Sequence, residues 1–119
     1  MSYTYDDNGN VLTEKIEVDI NIDGQIDYVT TNTWNSNGII VSSVYKEDMD
    51  YNGKWDTEIV VSYNANGNLT TESYIYYHYD ADGNLSGKNI EYYYYDDDGN
   101  LIRTEYDDDG DGNIDRVEP

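Results

Sequence analysis

Three segments of the chain place oxygen-bearing side chains at every second position around a glycine. They share the pattern Asp-x-Asx-x-Asx-Gly-x-x-Asp, where Asx is Asp or Asn, and they span 19–27 (loop 1), 48–56 (loop 2) and 107–115 (loop 3). Calcium takes six to eight oxygen ligands at about 2.4 Å in a flexible shell. A chain that curls at the glycine turns such side chains into one concavity. The spacing therefore predicts three calcium sites.

The predicted ligands are the side chains at positions 1, 3, 5 and 9 of each loop and the carbonyl at position 7. They are Asp19, Asn21, Asp23, Gln25 and Asp27 in loop 1, Asp48, Asp50, Asn52, Lys54 and Asp56 in loop 2, and Asp107, Asp109, Asp111, Asn113 and Asp115 in loop 3. Asp and Asn are also common turn residues, but turn chemistry alone does not explain the fixed offsets. Magnesium demands stricter octahedral geometry and zinc prefers His or Cys, so calcium is the predicted ion.

Loop 3 also satisfies the spacing of an EF-hand, because Glu118 lies at position 12. An EF-hand needs flanking helices, whereas a tyrosine-rich, strand-like segment precedes this loop, so we do not predict one. Two further acidic pairs stand beside a turn glycine and are candidates for additional, weaker calcium sites: Asp80 with Asp82, and Asp96 with Asp98.

A second kind of turn, Tyr-Asp-x-x-Gly-Asn, occurs at 5–10, 79–84 and 95–100, and turn glycines of both kinds recur every 13–16 residues. The segments between them alternate apolar and polar residues with β-branched and aromatic side chains, which is typical of strands. The chain is thus predicted to be one all-β repeat domain over 1–119, an antiparallel meander with half-repeats at both ends. A flattened β-solenoid is the alternative.

The amino-acid composition excludes several classes of function. The chain has 119 residues, 26 acidic and 6 basic side chains and a net charge of −20, which excludes nucleic acid as a natural partner. No apolar run approaches the length of a membrane span. Fifteen tyrosines argue against a disordered acidic tail, and the absence of cysteine excludes disulfides and thiolate chemistry. His78 is the single imidazole, and we expect it to be structural and the protein not to be an enzyme.

The hairpin turns resemble the YD repeats of the RHS and teneurin families, Tyr-x-Tyr-Asp-x-x-Gly-Asn-Leu. The matching segments are 3–10, 77–85 and 93–101, with a degenerate copy at 63–69. The resemblance implies long antiparallel β-strips on a bacterial or cell-surface protein. The acidic turns resemble calcium loops of extracellular modules such as integrin-type propeller blades.

Two functions are consistent with these patterns. The first is an extracellular, calcium-stabilised structural protein that assembles head to tail into a fibre, because joining 114–119 to 1–5 continues the turn spacing; a piece cut from a longer array would show the same phase. The second is an adhesin or stalk module that binds carbohydrate or protein, with Tyr76, Tyr92 and Tyr94 lining a groove. Millimolar extracellular calcium fills weak loops, so both functions favour the cell surface.

Overall fold

The computed structural model describes residues 2–50 and 52–119, so that Met1 and Tyr51 lie outside the described part of the chain. The described residues form nine β-strands. They are β1 (Ser2–Tyr5), β2 (Val11–Val18), β3 (Tyr28–Trp34), β4 (Ile40–Glu47), β5 (Thr57–Tyr63), β6 (Leu69–Tyr79), β7 (Leu85–Tyr95), β8 (Leu101–Asp107) and β9 (Arg116–Glu118).

All nine strands belong to one open antiparallel sheet, in which each strand pairs with its neighbours in sequence. The order β1 to β9 confirms the predicted meander, and the parallel stacking of a solenoid was the wrong alternative. Extents of 49 × 43 × 19 Å describe a thin plate. The described residues contain no helix that is long and apolar enough to cross a membrane.

One hairpin design recurs five times. In the first, the backbone N–H of Gly9 donates to the carbonyl of Asp6, and Gly9 has φ of 84°. The Asp6 Oδ1 accepts the backbone N–H groups of Asn8 and Asn10, both at 2.9 Å. A register shift lies beside each such turn, as between Thr4 and Tyr5 just before the first. Glycine is needed because the turn requires a left-handed residue.

The meander sorts the turns between two edges of the sheet. Four hairpins, at 6–9, 35–38, 64–67 and 96–99, share one edge. The opposite edge, hereafter the acidic edge, carries loop 1, loop 2, the hairpin at 80–83 and loop 3, in that order. Neighbouring turns on one edge are two strands apart, which is roughly 10 Å.

The cross-strand register places most of the described tyrosines on one face of the sheet, hereafter the tyrosine face. Its members are Tyr3, Tyr5, Tyr28, Tyr45, Tyr63, Tyr74, Tyr76, Tyr93, Tyr95 and Tyr106. Tyr92 and Tyr94 are on the other face, so the three tyrosines expected to line one groove do not share a surface.

Glutamates lie between these tyrosines and accept hydrogen bonds from their hydroxyl groups. Tyr74 donates to Glu72 at 2.7 Å, and Tyr93 donates to Glu91 at 2.7 Å. The rings of Tyr74 and Tyr93 meet edge to face at 5.3 Å. Because a sheet of one layer has no second layer to cover it, only Ile90 among the described apolar residues is buried. Cross-strand pairs of this kind, each contributing about 0.2–1 kcal/mol, take the place of a core.

These contacts predict late ionisation of the phenols. The hydrogen bond to Glu72, with burial and the carboxylate charge, raises the pKa of Tyr74 to about 12, and the pKa of Tyr95 rises to about 12 for the same first cause. Burial, followed by hydrogen bonds to Glu47 and Glu58, raises the pKa values of Tyr45 and Tyr77 to about 12.

A raised pKa in the folded sheet means that the folded state holds its proton more tightly than the unfolded chain. This contribution to stability is complete below pH 10 and is lost as pH rises from about 10 to 12. We expect absorbance at 295 nm to show phenolate forming together with the loss of the far-UV β-sheet signal. Complete ionisation near pH 10 with the sheet intact would contradict the hydrogen-bonded arrangement.

Candidate metal sites

The three acidic loops fold in the same way around the first carboxylate. In loop 1 the Asp19 side chain accepts two backbone N–H groups, from Asp23 at 3.2 Å and Gly24 at 2.8 Å. Asp48 accepts the corresponding pair in loop 2 at 3.2 and 2.6 Å, and Asp107 does so in loop 3 at 3.2 and 2.9 Å. The carboxylate at position 1 therefore holds the turn at positions 5 and 6.

Positions 5 and 9 complete this frame. The side-chain Oδ1 at position 5 accepts the N–H of position 7, as in the 2.8 Å bond from Gln25 to Asp23. The carboxylate at position 9 accepts the N–H of position 2, and this bond is 2.7 Å in all three loops. Each of these side chains, which are carboxylates except for Asn52, uses an oxygen to fix the backbone and has further acceptor capacity for a ligand.

The frame gathers three carboxylates in each loop. Ligand oxygens of every trio lie within 4.8 Å of one another. The trios are Asp19, Asp23 and Asp27 in loop 1, Asp48, Asp50 and Asp56 in loop 2, and Asp107, Asp109 and Asp115 in loop 3. The predicted clustering of these acids is confirmed, and the arrangement is compatible with a metal ion.

One buried oxygen in this set has no hydrogen-bond partner. Asp27 is 1% exposed, its Oδ2 accepts the N–H of Ile20, and its Oδ1 is buried without a hydrogen bond. A buried carboxylate oxygen without a partner raises the free energy of the folded state, because it has lost its hydrogen bonds to water and forms none within the protein. A cation bound among Asp19, Asp23 and Asp27 would supply the missing partner.

Crowding among the acids shifts their protonation. A hydrogen bond shared with Asp48, together with desolvation and the charge of Asp56, raises the pKa of Asp50. In loop 3 the backbone N–H of Asp111 lowers the pKa of Asp109, but desolvation and the contact with Asp107 outweigh it, so that the pKa is raised overall. The ionised form of these acids is disfavoured by their acidic neighbours, and a cation would remove that penalty.

The predicted ligands at positions 3 and 7 make different contacts. The position 3 oxygen of Asp109 accepts the N–H of Asp111 at 3.3 Å. At position 7 the Gln25 side chain extends along the acidic edge to the next loop, and the Lys54 ammonium donates to the carbonyl of Gly83. Ligand roles for Asn21, Asn52, Asp111 and the carbonyls of Gln25, Lys54 and Asn113 remain predictions.

Sequence reasoning missed these two side-chain links. Gln25 and Gly53, and likewise Lys54 and Gly83, are separated by 28 and 29 residues, close to the spacing of alternate turns. That spacing was visible in the sequence. The contacts depend on which turns share an edge, and only the folded meander fixes that.

The additional sites proposed at the hairpins receive no support from the geometry. Asp80 Oδ1 accepts the N–H groups of Asp82 and Asn84, at 3.0 and 2.9 Å. Asn64, which carries no charge, makes the same two bonds at 2.9 and 3.0 Å. Among the described residues, no group of three potential acidic, His or Cys ligands includes Asp80, Asp82, Asp96 or Asp98. The first acid of these hairpins serves the turn.

His78 lies near the end of β6 and belongs to none of the carboxylate trios. Its Nε2 is 2.6 Å from Asn89 Oδ1 on the neighbouring strand, and the side chain is exposed. This contact is an ordinary cross-strand polar pair.

Comparisons with known proteins give no relative. No protein-family model, no curated protein and no solved structure matches the chain.

Loop 1 contains a strained residue whose replacement should be stabilising. Ile22, at position 4, has φ of 58° and is 88% exposed, whereas loop 3 has Gly110 at the same position with φ of 69°. A β-branched residue in the left-handed region costs roughly 1–2 kcal/mol, and asparagine tolerates that region.

We expect Ile22→Asn to raise the free energy of unfolding by about 1 kcal/mol in urea denaturation with chelator present. Ile20→Asn is the matched control, because Ile20 lies in the same loop and is exposed but does not have a positive φ. A gain from the control equal to that from Ile22→Asn would show that backbone strain is not the cause.

Proposed function

We propose that this protein is an extracellular, calcium-stabilised structural β-repeat, in which loops 1, 2 and 3 each bind one calcium ion. The observation that carries the proposal is the buried, unpaired Oδ1 of Asp27 inside a trio of carboxylates. Loops 2 and 3 repeat the hydrogen-bonded frame and the carboxylate trio, and this repetition supports extending the proposal to them. The argument from burial belongs to loop 1, because Asp56 is half-buried and Asp115 is exposed.

The chemistry of the donors favours calcium. Every side chain of the three trios offers carboxylate oxygen, and hard oxygen donors in irregular number suit calcium better than zinc or copper. The loops would hold the ion between positions 1, 3, 5 and 9, and the ion would offset part of the net charge of −20.

A structural role follows from where the ions would bind. Each loop joins two neighbouring strands of a sheet that has almost no buried apolar surface, so an ion at the loop stabilises the strand pair on either side of it. A ligand that binds only the folded state adds RT ln(1 + [L]/Kd), or about 2.7 kcal/mol per site at a hundredfold excess over Kd.

Calcium should therefore raise the melting temperature. We expect an increase of about 10 °C per filled site in millimolar calcium relative to excess EDTA, measured by circular dichroism. The triple variant Asp27→Asn, Asp56→Asn, Asp115→Asn should lose most of this increase, because it removes one carboxylate from each trio.

A control variant with the same change of charge separates binding from general relief of repulsion. Asp7, Asp82 and Asp97 are exposed hairpin acids outside the trios, and changing all three to Asn should leave the calcium effect intact. If the wild-type protein melts at the same temperature in calcium and in EDTA, the calcium proposal is wrong.

The proposal includes assembly of copies through the ends of the sheet. Strands β1 and β9 are the edge strands of the sheet, and each pairs with one neighbouring strand within the described residues. Such edges are templates for a further strand. Pairing of β9 in one copy with β1 in the next is a heterologous contact, which extends into a filament if the contact does not close.

We expect fibres or linear oligomers in negative-stain electron microscopy with calcium, and shorter species with EDTA. Multi-angle light scattering at rising concentration gives the mass in parallel. A monomer at all concentrations in calcium would contradict assembly and would leave the calcium sites unaffected.

A further inference from the structure

The acidic edge does not present three equivalent loops. Loop 1 and loop 2 are immediate neighbours, whereas the hairpin at 80–83 separates loop 2 from loop 3. We propose that loops 1 and 2 bind calcium as one coupled pair and that loop 3 binds independently. This inference rests on the proposed calcium function and specifies how its sites regulate one another.

A direct hydrogen bond joins the two neighbouring loops. The backbone N–H of Asp48 donates to the carbonyl of Asp27 at 2.8 Å. Asp27 is the last acid of loop 1, Asp48 is the first acid of loop 2, and both side chains are 1% exposed. The peptide units that position the buried acids of two sites thus hold each other in place.

A side chain makes a second link between the same loops. A Cβ built on Gly53 would lie 2.6 Å from Gln25 Oε1, so the Gln25 side chain lies directly against the left-handed turn of loop 2. Gly53 has φ of 84° and donates its N–H to Asp48 at 2.6 Å. When loop 1 is ordered, the Gln25 side chain therefore supports Gly53, whose N–H holds the Asp48 carboxylate of loop 2.

Beyond loop 2 the backbone link recurs, because the N–H of Tyr77 donates to the carbonyl of Asp56 at 2.9 Å, but Tyr77 belongs to β6 and not to another acidic loop. The next turn on the edge is the hairpin at 80–83, and the Lys54 ammonium donates to its Gly83 carbonyl and lies 5.4 Å from the centre of the Tyr79 ring. The hairpin at 80–83 contains no carboxylate trio among the described residues. On this side, loop 2 therefore contacts its neighbour through Lys54 and not through a second acidic loop. In loop 3, Gly110 lies against Lys88 of β7.

Two effects of opposite sign act on the paired loops. Two divalent ions roughly 10 Å apart repel, but across solvent with the dielectric constant of water (about 80) and at 0.15 M salt this lowers the second affinity about twofold. In the other direction, an ion in loop 1 orders Asp27 and its hydrogen-bonded partner Asp48. Binding of the second ion in loop 2 then carries a smaller conformational-entropy cost. Coupling of this kind typically changes affinity by about 5- to 150-fold, which exceeds the repulsion.

Trp55 gives a specific readout of loop 2. It occupies position 8 there, and the same position is Ile26 in loop 1 and Ile114 in loop 3. Terbium prefers the same hard oxygen ligands as calcium, and its emission on excitation at 295 nm reports the ion near a tryptophan. Trp34 lies at the far end of β3, about 20 Å from the acidic edge.

The test compares matched variants at position 1. We expect Asp19→Asn in loop 1 to weaken Trp55-sensitised terbium binding at loop 2 at least fivefold, and Asp107→Asn in loop 3 to change it less than twofold. Competition with calcium gives the calcium affinities, and far-UV circular dichroism in saturating calcium checks that each variant is folded.

A reciprocal experiment covers the case in which Asp19→Asn fails to fold. In a Trp55→Phe, Ile26→Trp protein, the reporter is in loop 1, and Asp56→Asn in loop 2 should weaken terbium binding at loop 1. The factor equals that of the first experiment when each variant abolishes binding at its own loop, because coupling between bound ions is reciprocal. An unchanged loop 2 affinity in Asp19→Asn, equal losses from Asp19→Asn and Asp107→Asn, or an unaffected loop 1 in the reciprocal protein each overturns the coupling. If no loop binds terbium or calcium, the proposed function itself is wrong.

Discussion

A sheet of one layer has no interior, and this constraint shapes the whole molecule. Burial of apolar side chains normally supplies most of the free energy of folding, yet only Ile90 is a buried apolar residue in the described chain. The cohesion must then come from contacts within each face and from the turns. Tyrosines that pack on the neighbouring strand and donate to glutamates meet the first need, and side-chain oxygens that accept the N–H groups of the turns meet the second.

An Asp or Asn side chain that accepts nearby backbone N–H groups occurs in both kinds of turn, the hairpins and the acidic loops. In the hairpins the Oδ1 of Asp6 accepts two backbone N–H groups and the turn is complete. In the acidic loops the turn is longer, and the carboxylate at position 9 joins the one at position 1. That extra length concentrates negative charge, and one oxygen of Asp27 is left buried without a partner. A hairpin turn is complete with its own hydrogen bonds, whereas an acidic loop also gathers three carboxylates in an arrangement compatible with a metal ion.

Much of this was predictable from the sequence. Glycine and Asx residues at fixed spacing predicted the antiparallel meander, because they fix where the chain reverses, and the offsets 1, 5 and 9 predicted the gathering of Asp19, Asp23 and Asp27. The burial of Asp27 was not predictable, because it depends on the folded sheet, in which the Asp27 carbonyl accepts the backbone N–H of Asp48 from another loop. The acids of the pairs at Asp80 and Asp96 carried the same composition signal as the loops, but the uncharged Asn64 makes the same turn.

The division of tyrosines between the faces was also hidden. A register shift at each hairpin, such as that between Thr33 and Trp34, changes how residue numbers map to faces from one strand to the next. Tyr76, Tyr92 and Tyr94 looked alike in the sequence, and one of them lies on the face opposite to the other two. A pattern of alternation fixes sides within a strand, and the pairing across strands is needed to relate one strand to another.

The order of the strands has a mechanical consequence. Because β1 and β9 are on opposite margins of the plate, tension applied between them acts along the inter-strand hydrogen bonds and not along the strands. Under that load the bonds of a single strand pair open one after another, so the plate yields strand by strand at low force. Strands of 7 to 11 residues release roughly 25–40 Å each. The molecule would extend under tension as a stepwise, extensible tether, and each acidic loop spans one of the joints that must open.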